Sequence, residues 1–152
     1  MINIVPTTVE HVAYIIETLR PEDRKEIEAI GLDVDKALFY THRNAIWSRT
    51  GLVNDKPAAI WGVAGELLSS VGVPFLTTGI EVENISPLKF SRIYKKEVED
   101  MKKLFSSLEN YVDSSYTGAV RMLKIAGFSL DEPIKVGSGN YQKFHMKADS
   151  YV

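Results

Sequence analysis

The chain has 152 residues, 45% of them apolar and 25% charged, with a formal net charge of −2. That length suits one domain with its own core, and the weakly acidic balance argues against a dedicated nucleic-acid binder held by phosphate contacts. There is no cysteine, which removes disulfides, thiolate metal sites and cysteine nucleophiles, and no apolar run approaches the ~20 residues that span a bilayer.

The amino terminus, MINIVPTTVEH, lacks the basic and apolar regions of a signal peptide, so the expected place of synthesis is the cytoplasm. Ile2, Ile4 and Val5 form a short strand that Pro6 stops. Thr7 or Thr8 caps a helix with Val9, Val12, Ala13, Ile16 and Leu19 on one face. Pro21 opens a second helix, with Glu22 and Asp23 in its first turn, running to about Ile30 and stopping at Gly31. Asp33 caps a third, in register through Val34, Ala37 and Leu38 to about Asn44. The period then changes. Ala45 to Leu52 and Pro57 to Val63 read as strands joined by the turn cluster Asn54-Asp55-Lys56-Pro57, a β-hairpin carrying Trp47 and Trp61 as core or sheet-face residues. Gly62 and Gly65 mark bulges or close backbone approach.

After a connector, Glu66 to Ser70, the stretch Val73 to Val82 reads as a strand, broken by Pro74 near its start. Glu81 and Glu83, two apart, would share one face of it. Ser86-Pro87 supplies a cap and a proline at the first helical position. Phe90, Ile93, Tyr94, Val98, Met101, Leu104 and Phe105 then form the apolar stripe of the longest helix, about Pro87 to Ser106, on which Glu99 and Lys103 are spaced to pair. Leu108 to Val112 is a strand. Asp113, Ser114 and Ser115 can each cap the next helix, where Ala119, Val120, Leu123 and Ala126 recur at helical spacing and Gly127 ends the run. A short strand is expected within Leu130 to Val136, limited by Pro133. A turn over Gly137-Ser138-Gly139-Asn140 and a closing strand, Tyr141 to Lys147, come before a frayed end. Strands alternating with helices in this order indicate an α/β or α+β domain on a mixed sheet.

The segment YTGAVRMLKIAGF, Tyr116 to Phe128, carries the pattern A-x-R-x-L-x-x-x-G-F through Ala119, Arg121, Leu123, Gly127 and Phe128. It resembles the late helix of the GNAT acyltransferase superfamily, usually A-I-R-L-Y-E-K-L-G-F, with Leu123 where that family usually has a tyrosine. The order of elements resembles the GNAT fold over almost the whole chain, and NDKPAAIWGVAG resembles its second and third strands. The resemblance implies a single GNAT-like α/β (α+β) domain over residues 1–152, built on a central mixed, mostly antiparallel sheet of six to seven strands with helices on both faces. It further implies acetyl-CoA bound where the fourth and fifth strands splay apart, its pyrophosphate on N–H groups at the start of the long helix, and an amine acceptor, small-molecule or protein.

The matching loop departs from the family. Ile85 to Ile93, ISPLKFSRI, has none of the usual glycines, Pro87 removes an N–H donor, and Leu88 and Phe90 add bulk. The cofactor-binding candidates are Ser86, Lys89, Phe90, Ser91 and Arg92, with Lys95 and Lys96 adding positive charge; the same residues also read as a cap and a solvated helix face. Glu81 or Glu83 is the candidate general base, with Glu66 as an alternative. Tyr116, two turns before Leu123, is the candidate acid in place of the missing tyrosine. His11, His42 and His145 have no metal-ligand spacing, and Ser48, Ser69 and Ser70 have no G-x-S-x-G setting.

Within the superfamily, Pro74 to Met146 resembles small GNAT-like proteins of tailed bacteriophages, including an internal virion protein. The shared features are a basic long helix without the glycine loop, the strand Glu109-Asn110-Tyr111-Val112, then Arg121, Leu123, Lys124 and Gly127, and a final strand with Gly139 and Phe144. This resemblance implies a phage or prophage origin, with the virion as a destination. It sets a second reading beside the enzyme: a non-catalytic GNAT-fold module whose partners are phage proteins.

Overall fold

Capping chemistry sets the helix starts. Ahead of α1 (Val9–Glu17) the Thr8 hydroxyl accepts from the His11 N–H at 3.2 Å, and His11 Nδ1 accepts from the Thr8 N–H at 3.1 Å. Pro21 begins α2 (Pro21–Ala29), and Asp33 accepts from the Lys36 N–H at the head of α3 (Val34–Asn44). Ser86 Oγ accepts from the Lys89 N–H at 3.1 Å before α4 (Pro87–Met101). At α5 (Thr117–Ala126) the expected caps do not act. The N-cap is Tyr116, whose side chain makes no capping bond, while Asp113 accepts from the Ser115 N–H at 2.9 Å and the Ser115 hydroxyl at 2.7 Å. Gly127 ends α5 at φ 105°, a left-handed conformation that costs glycine little.

The computed structural model describes residues 2–66 and 68–148; Leu67 of the expected connector and the expected frayed end beyond Ala148 lie outside the described residues. Its strands are β1 (Ile2–Pro6), β2 (Ala45–Val53), β3 (Lys56–Ala64), β4 (Val71–Thr78), β5 (Ser107–Asp113), β6 (Ser129–Leu130), β7 (Ile134–Val136) and β8 (Gly139–Lys147). They follow the order β1-β2-β3-β4-β5-β8-β6, with β7 also on β8. β4 and β5 pair in parallel, while β1–β2, β2–β3, β5–β8, β6–β8 and β7–β8 are antiparallel. Among the described residues there are eight strands rather than six or seven because the segment around Leu130 to Val136 holds two, separated by Asp131-Glu132-Pro133, where proline cannot donate to a ladder. The chain forms two compact units, residues 1–64 with 75–85 and residues 65–74 with 86–152, and β4 passes from the second into the first after Pro74.

In the first unit the β2–β3 turn has Asn54 and Asp55 at φ 51° and 64°, the twin left-handed residues of a type I′ hairpin. Val12, Ile15, Leu19, Val34 and Ile60 form the core, with Leu38, Phe39 and Phe75 packed against it. Of the face expected for α1, Val12, Ile16 and Leu19 lie in or against this core, joined by Ile15, while Ala13 and Val9, 57% exposed, face away from it. Trp61 is fully buried, while Trp47 is half-buried under the Arg49 guanidinium, 4.1 Å from its ring centre.

In the second unit α4 ends at Met101 rather than near Ser106. Lys102 therefore pairs with Glu99 at 3.4 Å and Lys103 with Asp100 at 2.9 Å, in place of the expected Glu99–Lys103 pair. Phe90, Tyr94, Val98 and Met101 are buried along α4; Leu108, Val112, Leu123, Phe128 and Phe144 are the main buried apolar residues of the elements after it. Phe128 and Phe144 meet edge-to-face at 4.9 Å.

Candidate functional site

In the first unit, the end of β4 is tied to the α1–α2 corner. Gly79 donates to the Ala58 carbonyl at 2.8 Å, Ile80 to the Thr18 carbonyl at 2.8 Å and Arg20 to the Thr78 carbonyl at 3.4 Å; Leu19 and Gly79 form an isolated bridge. These bonds take donors that a continuing strand would give to a neighbour. The chain turns into a 3₁₀ helix, Ile80–Asn84, which corrects the expected strand to Val82. Glu81 and Glu83 are thus not strand neighbours sharing a face: at three residues per turn, two-apart side chains diverge by about 240°.

Glu83 is exposed, whereas Glu81 is half-buried and held at both oxygens. The Tyr14 hydroxyl donates to Glu81 Oε1 at 3.1 Å, and Asn84 Nδ2 donates to Oε2 at 3.2 Å. Burial raises the Tyr14 phenol above its ordinary value, and its bond to the carboxylate adds in the same direction. In the same unit Thr78 Oγ1 donates to Asp23 Oδ2 at 2.8 Å. Burial raises the Asp23 carboxyl, opposed by the Thr78 bond.

In the second unit the β4–β5 ladder has only two rows, Val71↔Ser107 and Gly72↔Leu108. Asn110 Nδ2 then donates to the Pro74 carbonyl at 2.7 Å, a side chain spanning what the ladder no longer bridges. At the start of α4, Pro87 has no N–H, the Lys89 N–H is bonded to Ser86 Oγ, and the Phe90 N–H to the Ser86 carbonyl at 3.0 Å. That leaves the Leu88 N–H. Ser86, Lys89 and Arg92 are exposed. Phe90 and Ser91 are buried, 6% and 5% exposed, and the Ser91 hydroxyl donates to the Pro87 carbonyl at 2.8 Å. Those two candidates are therefore packed into the unit. Tyr116 is half-buried at the N-cap of α5, and Leu123 is buried.

Of the candidate residues, Glu81 and Glu83 belong to the first unit, while the exposed Glu66, Ser86 to Arg92 and Tyr116 belong to the second. Tyr14 and Asn84, which bond Glu81, and Asp23, which Thr78 bonds, were not legible from sequence. Tyr94 was visible only as a member of the α4 stripe. It is 1% exposed, and burial raises its phenol above its ordinary value. Among the described residues no group of three His, Cys, Asp or Glu side chains is placed to hold a metal, and no helix is long and apolar enough to cross a membrane.

No protein-family model matches the sequence. No curated protein matches it either. Solved structures do resemble it in fold. An acetyltransferase of the GNAT family from Streptococcus pneumoniae superposes with a TM-score of 0.70 at 15% identity, covering 98% of this chain and 100% of that one. The aminoglycoside acetyltransferase AAC(6')-Ib in complex with coenzyme A and kanamycin gives 0.68 at 14%, over 97% and 95%. The protein yncA from Salmonella typhimurium, solved with its cofactor acetyl-CoA, gives 0.69 at 11%, over 99% and 95%. The chain has the GNAT acyltransferase fold.

Proposed function

We propose that the protein is an acetyl-CoA-dependent N-acetyltransferase whose coenzyme site relies on side-chain charge where the family uses a glycine loop. The observation that carries this reading is the β4–β5 ladder, which stops after two rows. The family resemblance places the coenzyme where the fourth and fifth strands cease to pair, and two proteins of the same fold are solved with CoA or acetyl-CoA. The residues fit such a ligand through Lys89 and Arg92, exposed on the first turns of α4, and through the Leu88 N–H. They supply charge and one backbone donor rather than a cradle of donors.

When bound, the coenzyme supplies a thioester activated towards an amine. The chain's own contribution is proton handling. Within the first unit Glu81 is the carboxylate best suited to act as a base: each of its oxygens receives one bond, from Tyr14 or Asn84, and keeps a lone pair to accept another proton. Leu123 has no proton to give, so Tyr116 remains the acid candidate. Calorimetric titration with acetyl-CoA tests the reading. We expect micromolar binding, weakened roughly tenfold by Lys89→Ala or Arg92→Ala, the loss of one charged contact. No binding at millimolar coenzyme refutes it.

Pro87 and the buried Leu123 favour a second reading, a GNAT-fold virion or interaction module of phage type that has given up the coenzyme. It predicts no coenzyme binding, together with stable association with phage particle proteins in a reconstituted binding assay.

A further inference from the structure

In a parallel pair the two strands exchange evenly spaced, slanted backbone bonds. Between β4 and β5 that exchange stops after Val71↔Ser107 and Gly72↔Leu108. Carried two rows further, the same register sets Pro74 against Asn110, and proline has no N–H to give. One side chain meets the backbone groups there. Asn110 Nδ2 donates to the Pro74 carbonyl at 2.7 Å, and the Tyr111 N–H donates to Asn110 Oδ1 at 2.8 Å. A carboxamide carries the donor and acceptor of a peptide unit. That of Asn110 acts as one, giving an N–H to β4 and taking one from β5. All three residues belong to the second unit.

We infer that the Asn110 carboxamide holds the place of a ligand amide and competes with it. A secondary amide on an extended arm, such as the pantetheine arm of a coenzyme, offers the same two groups: an N–H for the Pro74 carbonyl and a C=O for the Tyr111 N–H. Such a ligand displaces the Asn110 side chain, which is half-buried and has other rotamers to adopt. Binding then exchanges two internal hydrogen bonds for two to the ligand. Asn110 thus keeps both backbone groups satisfied in the ligand-free protein and lowers the affinity for the arm. A ligand without an amide makes no such exchange.

This inference rests on the coenzyme reading above, and Asn110→Ala tests it with two probes. Acetyl-CoA carries the arm; adenosine 3′,5′-bisphosphate lacks it. We expect the variant to bind acetyl-CoA roughly fivefold more tightly than the native protein, the worth of one neutral hydrogen bond no longer given up, and to bind the bisphosphate equally well. A second measurement needs no variant. In the native protein the Asn110 side-chain amide resonance should move when acetyl-CoA is added and stay in place with the bisphosphate. Acetyl-CoA affinity that is unchanged or lowered in Asn110→Ala makes the side chain a staple of the strands or a direct ligand contact, and overturns the inference. So does an equal gain for both probes, or an Asn110 resonance that acetyl-CoA leaves in place. Binding of neither probe, to native protein or variant, overturns the coenzyme reading and this inference with it, whereas acetyl-CoA binding that Asn110→Ala leaves untouched overturns this inference alone.

Discussion

Gly62→Ala adds one methyl group and removes no hydrogen bond, so its effect is steric. Gly62 faces Ser48 across the β2–β3 ladder. A Cβ at this position would overlap the Trp47 carbonyl oxygen and lie 2.8 Å from Phe75 Cζ and 2.9 Å from Ser48 Cα. The Phe75 ring can rotate away. The Trp47 carbonyl and Ser48 Cα are backbone and yield only if β2 and β3 move apart, while the flanking residues Trp61 and Val63 have no exposed surface to give. The cost should reach the upper part of the overpacking range, about 3 kcal/mol. Against a domain stability of about 5–15 kcal/mol that is a large share, and at about 2–4 °C per kcal/mol it lowers the thermal midpoint by about 6–12 °C. Urea unfolding followed by circular dichroism measures it. Gly118→Ala is the control: a Cβ there has no neighbour within 4 Å, and alanine in α5 should stabilise by about 0.5 kcal/mol. If Gly62→Ala lost less than about 1 kcal/mol, the claim that the two strands are locked at this spacing would be wrong.

Two further predictions concern pH. Burial holds the His11 imidazole below its ordinary value, Glu10 opposes this and His42 adds to it. A histidine depressed in the folded state contributes stability that is full above its unfolded value, about 6.5, and is lost as pH falls through the folded value. His11→Gln keeps an acceptor for the Thr8 N–H, so it should preserve α1 and flatten stability below about pH 6.5, read from unfolding midpoints across pH. Asp23 has the opposite sign. Its carboxyl is raised by burial, so the fold loses stability as pH rises through the folded value. Asp23→Asn still offers Thr78 an acceptor; it should be more stable than the native protein at neutral pH and show no advantage near about pH 3, where Asp23 is already protonated. A gain of equal size at both pH values would show that ionisation of Asp23 is not the cause.

Much of the fold could be read locally because its signals are local. Thr8, Asp33 and Ser86 cap helices from within four residues, Gly127 takes the left-handed φ that stops α5, and Asn54-Asp55 turns the hairpin. These depend on backbone preference and nearby side chains, which a sequence displays directly. The candidate site was legible only in outline. The stretch from Ser86 to Arg92 fell at the head of α4 as expected, but which of its side chains face solvent depended on how α4 packs, and that buried Phe90 and Ser91. Glu81 looked like a strand residue because nothing near it in sequence announces the Thr18 and Ala58 carbonyls that draw the chain into a 3₁₀ helix. Its partner Tyr14 lies 67 residues away, and Thr78 reaches back 55 residues to Asp23. Hydrogen bonds at such separations exist only once the chain has closed on itself. Sequence alone therefore determined most helix starts and the hairpin turn, and only the tertiary structure decided where α4 ends, which carboxylate is held at both oxygens and which side chains at the head of α4 are buried.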